Sequence, residues 1–287
     1  MWLGAHIGTS DGLAEAARTG RSIGCDAIQI FSKSPQSWKG PPIRPELAEA
    51  FQGAVRAEKL RYTAVHHGYL TNLASPKPAM RRASRAAFLD DIDRCTLLGV
   101  DQMIFHPGAH VGSGVEAGVR QIAESLAWAL AERPDSKVTI LLENAAGQGT
   151  TIGSRFEELR DILDAVGARE RVAVALDTCH LFAAGFDFRT PETYGEVKDR
   201  LKSTLGWKRV QAFHLNDCKA GLGSHLDRHE NIGRGELGTA GFVPWLNDPT
   251  WAKTPGYLET PLTDEEYAAY ATDLATLRGL LRPGPNP

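Results

Sequence analysis

Short apolar, β-prone runs alternate with longer amphipathic stretches along this chain, about eight times over. The runs are Leu3–Ile7, Asp26–Phe31, Tyr62–His66, Gln102–His106, Val138–Glu143, Val172–Asp177, Val210–His214 and Gly256–Glu259. Each has the length and composition of a buried strand. The stretches between them, among them Pro45–Leu60, Pro76–Leu98, Val115–Ala131, Arg155–Val166 and Pro191–Leu205, carry the helical period. Asp11 is expected to cap the first helix, with Pro45 and Pro191 in first turns. Gly24, Gly99 and Gly206 follow helical runs as C-terminal stops do.

Strand, helix, strand, repeated eight times in 287 residues, predicts a single closed (β/α)₈ barrel of the TIM type. The barrel is expected to span residues 1–282, leaving 283–287 as a short proline-rich tail. An open doubly wound sheet is the alternative. It would normally carry a glycine-rich phosphate turn after its first strand, and GTSDG after Ile7 matches that fingerprint poorly. Two connections are too long to be mere turns. They are 32–44, after the second strand, and 216–241, after the seventh, which holds six glycines. Long ordered loops at the C-terminal end of barrel strands are where function is expected.

Charge and composition narrow the picture only slightly. A net charge of −3 argues mildly against a general polyanion binder, although local cations or bound metals can reverse that. Cys25, Cys95, Cys179 and Cys218 are scattered, with no Cys-x-x-Cys pair, so free thiols are expected rather than disulfides or a thiolate zinc site. The opening MWLGAHIG has no basic segment followed by an apolar run, and no stretch reaches 18 apolar residues. The expected compartment is the cytoplasm.

The chemistry gathers at the strand ends. His6, His66 with His67, His106, Glu143, Asp177 with His180, His214 and Glu259 all lie at or just past the C-terminal end of a predicted strand. Asp227 and His229 sit in the long loop after the seventh. That end of a barrel is where active sites are built. None of the nine histidines falls in a predicted helix, a distribution that random placement would not produce. Imidazole and carboxylate without clustered thiolates suit zinc, manganese or iron. So many donors exceed what one catalytic zinc takes, and they imply two or three ions with a carboxylate bridging a pair. Paired metals about 3.5–4 Å apart are a recurrent solution for phosphodiester displacement.

Each motif also has a plain structural reading. Asp177 and the two glutamates end apolar strands, where an unpaired carboxylate is costly, so ligation outweighs a structural role. Asp227 and His229 are two apart, which puts both side chains on one side of an extended backbone. Only one of His66 and His67 can face the metals, because adjacent strand residues point to opposite faces. His6 is expected to hydrogen-bond a ligand rather than to ligate. His110 is left between substrate contact and a purely structural part, and His225 reads as plain loop surface.

These motifs resemble the endonuclease IV family of metal-dependent abasic-site endonucleases. The matching segments are HHGYLTNLASP (66–76), FHPGAHVGSG (105–114), LLENAAGQG (141–149), LDTCHLFAAGFD (176–187), HLNDCKAGLGSHLDRHENIGRG (214–235) and LETP (258–261), in order over nearly the whole chain. The resemblance implies a TIM-type barrel holding three zinc ions, with manganese or iron possible at one site. One zinc is implied for His66, His106 and Glu143. Glu143 would bridge to a second, completed by Asp177, His214 and Glu259, and the third would take His180, Asp227 and His229. Tyr69, three residues on, marks His66 as the ligand of the histidine pair.

The activity implied is that of a zinc-dependent deoxyribonuclease IV of the phage-T4-induced type, a phosphodiester hydrolase of DNA base excision repair. It would cut double-stranded DNA 5′ to an abasic site, leaving 3′-hydroxyl and 5′-deoxyribose phosphate ends, and trim blocked 3′ ends. Glu259 and Glu143 are the implied catalytic carboxylates, Glu259 orienting the attacking water or taking its proton. Tyr69 and Leu70 match the residues that wedge into the stack, and Lys33, Gln36 and Trp38 are the implied DNA contacts of the second-strand loop. Gln36 departs from the pattern, since well-known members carry arginine there, and Cys218 stands where alanine or serine is commoner. A closed barrel needs no partner to cover its sheet, so a monomer without an obligate protein partner is expected. The rival reading is a metal-dependent sugar isomerase or epimerase on a xylose-isomerase-like barrel, which usually needs fewer ligands and no wedge.

Overall fold

The computed structural model describes residues 1–167, 170–263 and 267–282, so the tail expected at 283–287 lies outside the described residues. Eight strands run parallel and close on themselves: β1 (Trp2–His6), β2 (Ala27–Ile30), β3 (Tyr62–His66), β4 (Gln102–Phe105), β5 (Thr139–Glu143), β6 (Val172–Asp177), β7 (Val210–His214) and β10 (Pro255–Leu258). The first and last strands pair through Trp2–Pro255, Leu3–Gly256, Gly4–Tyr257 and Ala5–Leu258, which seals the barrel. Two further strands, β8 (Asp217–Cys218) and β9 (His229–Glu230), form a small antiparallel pair inside the long loop after β7.

The helices α1 (Leu13–Ser22), α2 (Pro45–Ala57), α3 (Pro78–Leu98), α4 (Val115–Glu132), α5 (Phe156–Val166), α7 (Pro191–Thr204), α8 (Gly238–Asn247) and α9 (Ala268–Gly279) follow the strands. A short α6 (Thr178–Ala183) directly continues β6. Pro45 and Pro191 take first-turn positions, and Gly99 stops α3 in the left-handed conformation. Asp11 does not cap α1. Gly12, at φ 112°, occupies that position without a side-chain bond, because a glycine-only backbone geometry makes the entry turn.

Period-two alternation sorts each strand into two faces. Residues such as Leu3, Ile28, Val65, Met103, Leu142, Val174 and Phe213 point outward into the layer under the helices. Ala27, Ala64, Ile104, Leu141, Ala173, Ala175, Ala212 and Tyr257 form a separate buried cluster within the barrel. Small side chains suit the narrow interior, and Tyr257 fills the remaining space. Gly4 belongs to the same packing: a Cβ there would lie 2.0 Å from the Ala27 carbonyl oxygen.

The next inward position after this apolar layer, within the strand or one residue past its end, is polar every time. In chain order the residues are His6, Gln29, His66, His106, Glu143, Asp177, His214 and Glu259. One barrel end therefore holds a ring of eight donors, each aimed by its own strand. Among the described residues, no helix is long and apolar enough to cross a membrane. The four cysteines are buried and free.

Candidate metal centre

Nine expected ligands come together at this end of the barrel in three adjoining groups. His66, His106 and Glu143 form one, and Glu143, Asp177, His214 and Glu259 a second. His180, Asp227 and His229 form the third, and within each group the donor atoms lie within 4.8 Å of one another. Glu143 belongs to two of them and is fully buried, with one oxygen 2.8 Å from His214 Nδ1 and the other 3.1 Å from His66 Nε2. Asp177 and His229 also gather with the Cys179 thiol.

The imidazoles are held from behind. His66 Nδ1 donates to the His67 carbonyl (2.8 Å), His180 Nδ1 to the Asn144 carbonyl (2.9 Å) and His229 Nδ1 to the Glu259 carbonyl (3.1 Å). His214 Nε2 donates to Gln29 Oε1 at 2.8 Å. An imidazole that commits one N–H in this way turns the lone pair of its other nitrogen forward. Those forward nitrogens face carboxylates: His180 Nε2 lies 3.2 Å and His229 Nε2 3.3 Å from Asp227 Oδ1. Both are buried without a hydrogen-bond partner. A lone pair opposing a carboxylate at such range is stable only with a cation or a proton between them. The donor set, nitrogen and carboxylate oxygen with fixed ring orientations, fits a divalent metal of the zinc, manganese or iron kind.

Charge confirms how tightly these groups interact. Burial pushes the Glu143 carboxyl up, yet the facing His106 and His214 hold it well below the usual carboxylate range. Burial acts on Glu259 in the same way, and His214 with the His6 hydrogen bond holds it low. Burial alone would depress His214, but Glu259 and Glu143 raise it to about 9.

Three residues that sequence reasoning passed over hold the centre together. Gln29 donates to Glu259 Oε1 at 2.6 Å while accepting from His214, so one amide aligns two of the candidate donors. Asn216 Nδ2 donates to Asp177 Oδ2 at 2.6 Å, and its Oδ1 accepts the Glu259 N–H at 2.8 Å. Asp217, fully buried, accepts four backbone N–H groups of the glycine-rich loop: Cys218 (2.8 Å) and Leu237 (3.0 Å) on Oδ1, Gly233 (2.9 Å) and Gly235 (3.0 Å) on Oδ2. That loop carries Asp227 and His229. The one available signal for Gln29 was its place two residues after Ala27 in the apolar run AIQI.

His6 Nδ1 lies 2.9 Å from Gln29 Nε2 and 3.4 Å from Glu259 Oε1, at the edge of the donor cluster. His67 points away, with Nδ1 2.5 Å from Asp91 Oδ2. His180 corrects the expectation that no histidine is helical: it sits in α6, because Asp177 Oδ1 accepts the His180 N–H and caps that turn. His110 turns to its own loop, accepting the Gly114 N–H, and His225 is exposed in the loop after β7. Tyr69, 61% exposed, stands over the cluster with its ring centroid 6.0 Å from that of His66, and Leu70, Gln36 and Trp38 are also exposed. Lys33 is the misplaced one. Its side chain is 2% exposed and paired with Asp90 and Asp91, because α3 offers two carboxylates beneath the loop. A cleft of about 430 Å³ opens beside the cluster, lined by Tyr69, Leu70, Asn72, His106, His180 and Asp227 among others.

The profile of the xylose isomerase-like TIM barrel family matches residues 17–280. A probable endonuclease 4 of Chloroflexus aurantiacus is 42% identical over 279 residues, covering 97% of this chain and 98% of that one. The chain belongs to the endonuclease IV family. A probable endonuclease 4 of Geobacter sulfurreducens is 41% identical over 281 residues, covering 98% and 95%. The crystal structure of endonuclease IV from Thermus thermophilus superposes with a TM-score of 0.85 at 33% identity, covering 98% of each chain. A D-tagatose 3-epimerase-like protein shares the fold alone, at 16% identity and a TM-score of 0.72.

Proposed function

We propose that this endonuclease IV family member hydrolyses the phosphodiester 5′ to abasic sites in double-stranded DNA, leaving 3′-hydroxyl and 5′-deoxyribose phosphate ends, and trims blocked 3′ ends. The observation that carries the reading is the three-part donor cluster, with Glu143 shared between two parts, in a chain alike over its full length to proteins named endonuclease 4. Three divalent ions, zinc at each site or manganese or iron at one, would supply Lewis-acid stabilisation of the phosphate and an activated water.

The chain's own part is positioning and proton handling. Glu259 Oε1 is occupied by Gln29 and His6, which leaves Oε2, 3.3 Å from His214, as the oxygen that orients the attacking water and takes its proton. Glu143, with both oxygens facing imidazoles, fixes the spacing between the first two donor groups. The third group lies on the cleft side, where His180, Asp227 and His229 would hold an ion able to stabilise charge on the departing oxygen. Tyr69 and Leu70 are exposed apolar surface at the mouth, suited to fill the gap that an extruded nucleotide leaves in the stack. The sugar isomerase alternative rests on the shared barrel and has no use for the third donor group.

A duplex carrying one tetrahydrofuran abasic analogue tests the reading. Protein saturated with zinc is expected to cut it once, 5′ to the analogue, and to lose that activity with EDTA. Elemental analysis is expected to find three metals per chain. Intact duplex after long incubation would end the proposal. The reduced, buried thiols suit a cytoplasmic enzyme, and gel filtration is expected to show a monomer.

A further inference from the structure

Four charged side chains sit together beneath the second-strand loop, outside the metal centre. Lys33 Nζ lies 2.7 Å from Asp90 Oδ2 and 3.2 Å from Asp91 Oδ1. Arg94 Nε donates to Asp90 at 3.0 Å, while its two terminal nitrogens donate to the carbonyls of Ser32 (3.1 Å) and Pro41 (2.6 Å). Ser32 Oγ donates to Asp91 Oδ1 at 2.6 Å, and the other Asp91 oxygen holds His67. The loop is thus tied to α3 at both of its ends, through residues 32–33 and through Pro41. Its middle is tied to the next loop, where Tyr69 N–H donates to the Pro35 carbonyl at 3.2 Å. The two loops touch so closely that a Cβ on Gly68 would lie 2.9 Å from the same oxygen.

A lysine buried to 2% is costly, and apolar packing of the same volume would often serve stability as well. What the ionic cluster supplies is placement. Between its anchors the loop projects Gln36 and Trp38, both exposed, and the Asp91–His67 arm reaches the strand that aims His66 and leads into Tyr69. We propose that Lys33, with Arg94 and the Asp90–Asp91 pair, is a positioning residue for lesion recognition. It touches no DNA, and holds Gln36 and Tyr69 at the spacing at which both engage the gap at an abasic site. The inference rests on the abasic-site reading above.

The test compares binding of an abasic-analogue duplex with binding of the same duplex undamaged, both in a zinc-loaded Glu259→Gln background and read before its slowed cutting consumes the duplex. Lys33→Met is expected to lower the preference for the abasic duplex by about tenfold, the size of one lost stacking or gap-filling contact. The slope of log Kd against log salt is expected to stay within about 0.3 of its starting value, since a lost phosphate contact would change it by about 0.9. Gln36→Ala is expected to cost preference as well, and the double variant to lose less than the sum of the two single losses, because the lysine acts in part through that side chain. If Lys33→Met does not fold, Arg94→Lys, which keeps the pair with Asp90 but frees Ser32 and Pro41, is expected to give the same loss at unchanged metal content. A shallower salt slope with equal weakening on both duplexes would mean a direct phosphate contact and overturn the proposal. So would unchanged preference beside a lowered Tm, which would leave the cluster merely structural. If the unsubstituted background itself fails to discriminate the two duplexes, the abasic-site reading falls first.

Discussion

Replacing Asp217 by asparagine should detach the third donor group from an otherwise intact barrel. The carboxylate accepts four backbone N–H groups, two on each oxygen, at 2.8 to 3.0 Å. Asparagine keeps one acceptor and turns an NH₂ toward the other pair. A hydrogen bond to a charged acceptor contributes about 1.5–3 kcal/mol, so the two lost bonds cost about 3–6 kcal/mol before relaxation. Relaxation recovers part of it, because Gly233 is near the surface and water can replace the carboxylate there; about 3 kcal/mol is a fair remainder. The loss falls on the loop that carries Asp227 and His229, and at about 1.4 kcal/mol per decade it weakens the third site roughly 100-fold.

Equilibrium dialysis against buffered zinc, followed by elemental analysis, reads this directly. One metal per chain should be lost at zinc levels that leave the other two in place. Gly235→Ala should act in the same direction, since its Cβ would lie 2.4 Å from the Cys218 carbonyl oxygen. If the weakest site in Asp217→Asn stays within about threefold of the unsubstituted protein, or all sites weaken together, Asp217 is not what holds the third group in place.

Three further outcomes follow from the geometry. Glu259→Gln should lower kcat by about 10³ while the Kd for abasic duplex moves less than about threefold, and near-normal cutting would remove Glu259 from the proton transfer. Trp245→Ala should cost about 3–5 kcal/mol in urea melts, because the ring packs against Phe188, Tyr194, Phe213 and Trp251 in the closed core. Burial raises the Asp248 carboxyl, but Lys198 and the Tyr194 hydroxyl hold it below its ordinary range. A depressed carboxyl stabilises the fold above its unfolded pKa of about 3.9 and loses that contribution as pH falls through the folded value. The stability gap between the native chain and Asp248→Asn should therefore be flat above about pH 5 and narrow below about pH 4; a gap that persists to about pH 2 would contradict the assignment.

The barrel was legible because its strands and helices differ in period. The clustering donors were legible because histidine or carboxylate at the end of an apolar run is costly to bury unless something binds it. What escaped was whatever depends on a partner far along the chain. Gln29 has no titratable group to draw notice, and its work is done on Glu259, 230 positions away. Asp217 reads as one more loop acid until the glycines wrap around it. Lys33 is implied as a DNA contact by the family resemblance, and nothing in its loop sequence signals burial. Nothing local announces Asp90, 57 positions on, beneath it. Asp11 failed for a smaller reason: glycine next door made the turn without a cap.

Closure of the sheet through β1 and β10 brings together donors from the two ends of the chain. Glu259 arrives only with the last strand, and the His6 that braces it arrives with the first. A nascent chain still short of β10 therefore carries most of the donors and no complete centre. Pairing chain ends so distant is slow, because loop-closure entropy must be met before the contacts compensate for it. The donor group of Glu143, Asp177, His214 and Glu259 is thus completed only by the final step of barrel closure.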